Sequence, residues 1–427
     1  MDFLPASFFI HTRSKLKELV LPSSAVIISS RRPVLRNGDQ HYPYRQSSDL
    51  YYLCGIRQEQ CTLLIYPESG PGKFADILFI PEGDERKNKW EGELISDSEA
   101  KSISGIPKIM TNSEMSGILK KVLADCSYVY FGTPEDEGAL SFPSNEKEIR
   151  IEHNNLLSHL EEHDLAPLMT RIRMYKAAEE ISLMKKAIGI TGDAFIRVLQ
   201  SLRPGMMEYQ AAALLTYEFN MQGAREHAFD PILASGANAL VLHYSKNDSI
   251  CKEGDMLLMD FGADWEYYAA DVSRTIPING RYTKRQRELY DANLRVLKNA
   301  MKLMRPGILI SELNQAVGKF WEEEHLTLGL YTQEDIKKQA KMWPLWQKYS
   351  WHGTSHSIGI DVHDPFDHSV KLGEGMVLSC EPGIYIPEEG IGIRLENDIL
   401  ITRDAPVNLS ENIPVDPDAI EVIMNKS

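Results

Sequence analysis

Four carboxylates, each closing an apolar segment of strand length, constrain this chain more than any other feature. Leu257-Leu258-Met259 runs into Asp260, and Tyr267-Tyr268-Ala269-Ala270 into Asp271. Leu378-Ser379-Cys380 runs into Glu381, and Ile393-Arg394-Leu395 into Glu396. Neighbouring buried carboxylates repel strongly unless a proton or a cation lies between them. Asp260 and Asp271 are 271 − 260 = 11 residues apart, so a short connection gives a hairpin with both acids on one face. Glu381 and Glu396 are 396 − 381 = 15 residues apart, with the Pro382-Gly383 turn between them. Arg394, two residues before Glu396, offers that acid a charge partner.

Histidines cluster nearby. His352, His356 and His363 fall within twelve residues, in a stretch broken by Gly353 and Gly359. His352 and His356 have the spacing of the helical zinc motif H-E-x-x-H, but Gly353 stands in place of its glutamate, so a loop or short strand is expected. Four carboxylates and one imidazole form a coherent site for two divalent ions. Oxygen-rich donors with one nitrogen favour manganese, cobalt, zinc or iron over a thiolate-bound metal. Two such ions bridge a water and bring its pKa toward neutrality, and further histidines can stabilise charge on a substrate oxygen.

The chain has 427 residues, enough for two or three domains and a large core. A net charge of −15 disfavours nucleic acid as a partner, and Lys284, Arg285 and Arg287 form the densest basic cluster, expected to be a solvated helix start. Five cysteines with no C-x-x-C pattern argue against a disulfide framework and a structural zinc site. No leader pattern or membrane-length apolar run is visible, so a soluble, cytoplasmic protein with no membrane partner is expected.

Strand-like runs at residues 25–28, 61–66, 75–80 and 128–131 alternate with helical patterns such as 113–123, which predicts an α/β first domain over residues 1–166. A charged helical stretch over 146–162 is expected to end at Pro167. Helices over 176–199, 208–222 and 283–304, with strands between and after them, predict an α+β second domain over 170–427. Within it, Glu253-Gly254 and Glu374-Gly375 each precede an apolar strand, and Asp260 and Glu381 each lie seven residues after the glutamate, which suggests two similar half-domains.

Taken in order, Leu242-His243-Tyr244, Met259-Asp260-Phe261-Gly262, Asp271-Val272-Ser273-Arg274-Thr275, His352-Gly353-Thr354-Ser355-His356, Asp361-Val362-His363-Asp364, Glu381-Pro382-Gly383 and Arg394-Leu395-Glu396-Asn397-Asp398 resemble the pita-bread metallopeptidases. The Xaa-Pro aminopeptidase (aminopeptidase P) family matches best, and Tyr42-Pro43-Tyr44-Arg45 through Gly55 is similar to a stretch of its N-terminal domain. The resemblance implies an α/β N-terminal domain followed by a pita-bread catalytic domain.

The same resemblance implies five metal ligands, Asp260, Asp271, His356, Glu381 and Glu396. Asp271 and Glu396 would bridge two divalent ions, with manganese first and cobalt or zinc as alternatives. His243 and His363 would contact substrate, His352 would lie just outside the metals, and Glu381 would handle the proton of a bridging hydroxide that attacks the scissile carbonyl. The implied reaction releases the N-terminal residue from peptides with proline second. An Xaa-Pro dipeptidase (prolidase) is the alternative, and a non-catalytic peptide-binding module the remote one. A homodimer or homotetramer is expected. Two positions depart from the family pattern: Ser355 replaces a usual glycine, and Asn397 a frequent acid.

Overall fold

The computed structural model describes residues 3–68, 73–83, 88–90, 92–132, 146–339 and 343–426. Two compact units divide the chain, one spanning Phe3–Ile172 and the other running from Arg173 onward.

The first unit is built on a six-stranded mixed sheet. Its strands lie in the order Lys108–Thr111, Phe74–Ile80, Thr62–Pro67, Ser24–Ser29, Tyr128–Phe131, Glu161–Asp164. Ser24–Ser29 is buried throughout, with an antiparallel neighbour on one side and a parallel one on the other, so Ala25-Val26-Ile27-Ile28 is continuously apolar. The helix Asn112–Leu123 covers this core through Leu119 and Leu123. The Tyr42–Gly55 stretch contains the helix Ser48–Cys54, which Ser47 caps and Gly55 ends at φ 72°. A Cβ at Gly55 would meet the Phe9 ring at 2.5 Å, so glycine is needed both for the turn and for the packing.

Two expectations for this unit need correction. Residues 146–162 do not form one helix: Glu146–Glu152 and Asn154–Leu157 are helical, and Glu161–Asp164 then becomes the sheet's outer strand. Three of that strand's four residues are charged at neutral pH, a composition that discourages further pairing at an exposed edge. Pro167 does not break a helix either. It lies in the first turn of Ala166–Arg173, where a missing N–H costs nothing.

In the second unit the helix Ala178–Ser201 packs beside Glu208–Met221, and Lys284–Leu303 beside Ile310–Thr327. The last of these was not anticipated from the sequence. At the start of Lys284–Leu303, Arg285 pairs with Glu389, and Arg287 with Asp291 and Asp418, so the basic cluster is matched by acids. Met256–Phe261 lies between Ile232–Ser235 and Val272–Pro277 in an antiparallel sheet, and Val377–Cys380 pairs with Asn397–Leu400 in another. Each sheet is entered through the expected Glu-Gly turn, with Gly254 at φ 88° and Gly375 at φ 91°.

The expected hairpin between Asp260 and Asp271 is present. Its strands continue through Ala263–Trp265 and Tyr268–Ala269 to a two-residue tip, where Glu266 and Tyr267 both have positive φ (54° and 71°). That is the primed-turn geometry that suits strand twist. At Gly262 a Cβ would sit 1.7 Å from the Ala270 carbonyl oxygen, so the two arms pinch together beside both acids.

Candidate metal centre

Each acid is placed by a different backbone element. Asp260 lies in the strand Met256–Phe261, opposite Ser273, and Asp271 directly precedes the partner strand. Glu381 follows Val377–Cys380, and its N–H donates to the Thr354 carbonyl at 2.9 Å. Glu396 joins Ile391–Arg394 to Asn397–Leu400, and its N–H donates to the Ser273 carbonyl at 3.0 Å. That last bond stitches the two acid-bearing segments together.

His356 lies in a loop whose N–H donates to Ser379 Oγ at 3.0 Å. Its Nδ1 donates to the Ser357 carbonyl at 3.1 Å, which fixes the tautomer and leaves the Nε2 lone pair facing the acids. Nε2 lies 3.4 Å from Asp271 Oδ2, 3.7 Å from Glu381 Oε1 and 4.0 Å from Glu396 Oε1. Asp271, His356 and Glu396 each offer a ligand atom within 4.8 Å of the others. Among the described residues this is the group able to hold a metal ion.

All eight residues singled out from the sequence line one cleft of about 510 Å³. Asp260 is turned toward Arg394, whose Nη2 reaches its Oδ2 at 2.6 Å. Arg394 is thus the partner of Asp260, and its Nε donates to Ser273 Oγ, which in turn donates to Glu396 at 2.7 Å. Arg394 Nη1 also donates to the Tyr385 hydroxyl, and that hydroxyl meets His352 Nε2 at 2.8 Å. His352 Nδ1 lies 3.6 Å from Glu381 Oε2, just behind the acids. The His363 ring stacks on His356, with centroids 4.0 Å apart and planes at 12°. His243 is exposed at the cleft wall.

The electrostatics are those of a site short of positive charge. Asp260 Oδ1, Asp271 Oδ1, Glu396 Oε1 and Asp398 Oδ1 are buried without a hydrogen-bond partner. Burial, then the neighbouring acids, pushes Asp271 and Glu396 well above the carboxylate range. Burial raises Glu381 and Asp398 to about 8 each. Burial also lowers His352 and His356 to about 4, helped by Arg394 for the first and by His363 for the second, so both imidazoles are neutral at pH 7. A neutral imidazole among carboxylates with free lone pairs is a donor set made for a divalent cation.

Three contributors were missed as individuals in the sequence: Tyr385, Ser273 and Asp398. Asp398 accepts the Asp271 N–H at 3.1 Å and is two residues beyond Glu396, a spacing that alternation along a strand could have exposed. The two departures from the family pattern are both engaged. Ser355 Oγ donates to the Ser379 carbonyl at 2.6 Å, and Asn397 Oδ1 accepts from Arg274 at 2.9 Å.

Comparison with known proteins agrees with this geometry. Residues 182–403 match the model of Metallopeptidase family M24, and residues 9–130 match that of the aminopeptidase P N-terminal domain. An Xaa-Pro aminopeptidase of Escherichia coli is 33% identical, with 97% of each chain aligned. Xaa-Pro aminopeptidase 3 of Homo sapiens is 29% identical over 94% of this chain and 81% of its own. Among solved structures, Escherichia coli aminopeptidase P with the inhibitor Pro-Leu superposes with a TM-score of 0.90 at 31% identity, covering 99% of this chain and 98% of that one. Proline aminopeptidase P II of Yersinia pestis gives a TM-score of 0.89 at 30% identity, covering 99% of this chain and all of that one. With a cluster of metal-binding residues at the heart of its catalytic domain, and with matches that run nearly end to end, the chain belongs to the Xaa-Pro aminopeptidase (aminopeptidase P) family of pita-bread metallopeptidases and is a hydrolase.

Proposed function

We propose that this enzyme releases the N-terminal residue from peptides with proline in second position, using two divalent ions held by Asp260, Asp271, His356, Glu381 and Glu396. The observation that carries the reading is the set of buried, unpartnered oxygens on Asp260, Asp271 and Glu396, which line one cleft with the neutral His356. Asp271 and Glu396, the more deeply buried acids, are read as the bridging ligands, Asp260 as completing one site, and His356 with Glu381 the other. Manganese is the expected ion, because oxygen donors dominate the set. Bound ions of this kind supply an acidified water at neutral pH and a Lewis acid for the scissile carbonyl.

The protein's own groups do the rest. Glu381 takes the proton of the attacking water and passes it to the departing proline nitrogen. His363 and His243 donate hydrogen bonds to the oxygen on which charge develops, and burial lowers the pKa of His363. Arg394 holds Asp260 in place, while His352 and Tyr385 wall off the side behind Glu381. An Xaa-Pro bond lacks an N–H, so a site that grips the amino terminus and the carbonyl suits it better than one relying on backbone hydrogen bonds. The names of the relatives support the proline preference. Five free cysteines, all buried, suit a reducing compartment, and the enzyme is read as cytoplasmic. No helix among the described residues is long and apolar enough to cross a membrane.

The test is hydrolysis of an Xaa-Pro dipeptide and an Xaa-Pro-Yaa tripeptide by metal-stripped protein resupplied with manganese. Cleavage of the tripeptide between Xaa and Pro is the expected result. Cleavage of the dipeptide alone would make the enzyme a prolidase, and cleavage of neither, with manganese bound, would remove the proline reading.

A further inference from the structure

The cleft has a second wall, and one residue outside the metal centre organises it. Glu208, at the first position of the helix Glu208–Met221, is completely buried. Its Oε1 accepts from the Ser235 N–H and Oγ, each at 2.7 Å, and from Asn238 Nδ2 at 3.0 Å. Its Oε2 accepts from the Tyr244 hydroxyl and the Ser249 N–H, each at 2.9 Å. Five donors saturate a group that offers about four lone-pair sites. They overcome the burial that would raise its carboxyl and hold it below the ordinary carboxylate range, and the helix N-terminus also favours a negative charge there.

All five donors come from residues 235–249, a segment that starts at the last residue of the strand Ile232–Ser235 and continues through one 3₁₀ helix, Gly236–Leu240. Such a segment has few backbone ladders to fix it, so its shape depends on side-chain bonds. In its middle, exposed His243 stands beside buried Tyr244, which is tied to Glu208. Leu242, His243 and Ser245 line the cleft with the metal-binding acids.

We infer that Glu208 is a positioning residue for turnover: its carboxylate gathers residues 235–249 and so sets where His243 meets the substrate. The inference rests on the substrate role given to His243 above. Glu208's bonds go to Ser235, Asn238, Tyr244 and Ser249 and to none of the proposed metal ligands, so its loss should act on the wall and not on the metals. Glu208→Gln keeps the shape but replaces one acceptor oxygen with a donor that faces other donors.

The test combines limited trypsin digestion with kinetics on manganese-loaded enzyme. In Glu208→Gln, cleavage after exposed Lys246 should quicken about tenfold relative to cleavage after exposed Lys284, with bound manganese unchanged. Turnover of Xaa-Pro-Yaa should fall about tenfold in the parent background and by less than about twofold in a His243→Ala background, since a residue acting through His243 has nothing further to lose there. Tyr244→Phe, which removes one of the five donors, should show the same pattern at smaller size. Cleavage after Lys246 at the parent rate would overturn the inference, and so would an equal kinetic loss with and without His243. If the parent cleaves no Xaa-Pro peptide, the proposed function fails, and the rate at Lys246 still decides whether Glu208 holds the segment.

Discussion

The catalytic domain buries two groups of carboxylates, and they are opposites. Around Asp271 and Glu396 the acids outnumber the cations, Arg394 forms its ion pair with Asp260, and four oxygens among the described residues are left without hydrogen-bond partners. A short loop away, Asp364 is equally buried but fully matched. Arg173 reaches it at 2.6 Å and Asp361 at 2.7 Å, and Lys176 reaches it at 3.0 Å. One chain segment joins the groups, with His356 at one end and Asp364 at the other. A buried charge that is matched holds structure together, whereas a buried charge left unmatched marks a place for a ligand.

The largest effect should come from removing an unmatched acid. Asp271→Asn or Glu396→Gln should abolish manganese binding and cut turnover more than about a thousandfold, while the chelated variant is no less stable than the chelated parent, because a repulsion has been relieved. Metal analysis with thermal melts checks this. Full activity in either variant would break the contrast between the two groups, as would a large loss of apo stability.

The opposite result is expected at the matched group. Asp364→Asn removes the carboxylate that Arg173 and Lys176 share and leaves Arg173 with Asp361, so urea denaturation should show a loss of about 3–5 kcal/mol. Substituting His363, on the segment between the groups, sharpens the comparison. His363→Ala should lower kcat about a hundredfold with the manganese content intact, because it deletes a donor to substrate and no ligand.

The most gradual effect is a pH trend. Glu381 and Asp398 are raised to about 8 in the folded protein, so each contributes stability that is complete below its unfolded pKa and is lost as pH rises through about 8. Melting temperatures of the chelated enzyme should therefore fall between about pH 4.5 and 8. Manganese should flatten that fall and release protons on binding at pH 7, measurable by calorimetry in buffers of different ionisation enthalpy. A chelated enzyme that gains stability across this range would show that the acids are not in conflict.

Much of the centre was legible in the sequence, because an acid at the end of an apolar strand is locally costly and so stands out. Asp260 and Asp271 could be paired from their spacing alone. The partners could not. Arg394 lies beside Glu396 in sequence but forms its ion pair with Asp260, 134 residues away, since strand alternation and sheet packing decide which face it reaches. Tyr385 and Asp398 looked like ordinary strand residues, and Glu208 like an ordinary helix start. The misread stretch over 146–162 had strong helical composition, yet the sheet edge beside Tyr128–Phe131 claimed its last residues.

The pinched hairpin at Gly262 also bears on when the enzyme can acquire its metal. Its two acids are local partners, able to meet as soon as those strands pair. His356, Glu381 and Glu396 are separated from Asp271 by 85, 110 and 125 residues of chain, counted as 356 − 271, 381 − 271 and 396 − 271. Under the proposed ligand set the hairpin waits during synthesis with two of five ligands, too few to capture an ion selectively. On that reading loading is one of the last events of assembly, and a chain released before Glu396 would be folded in part and empty of metal.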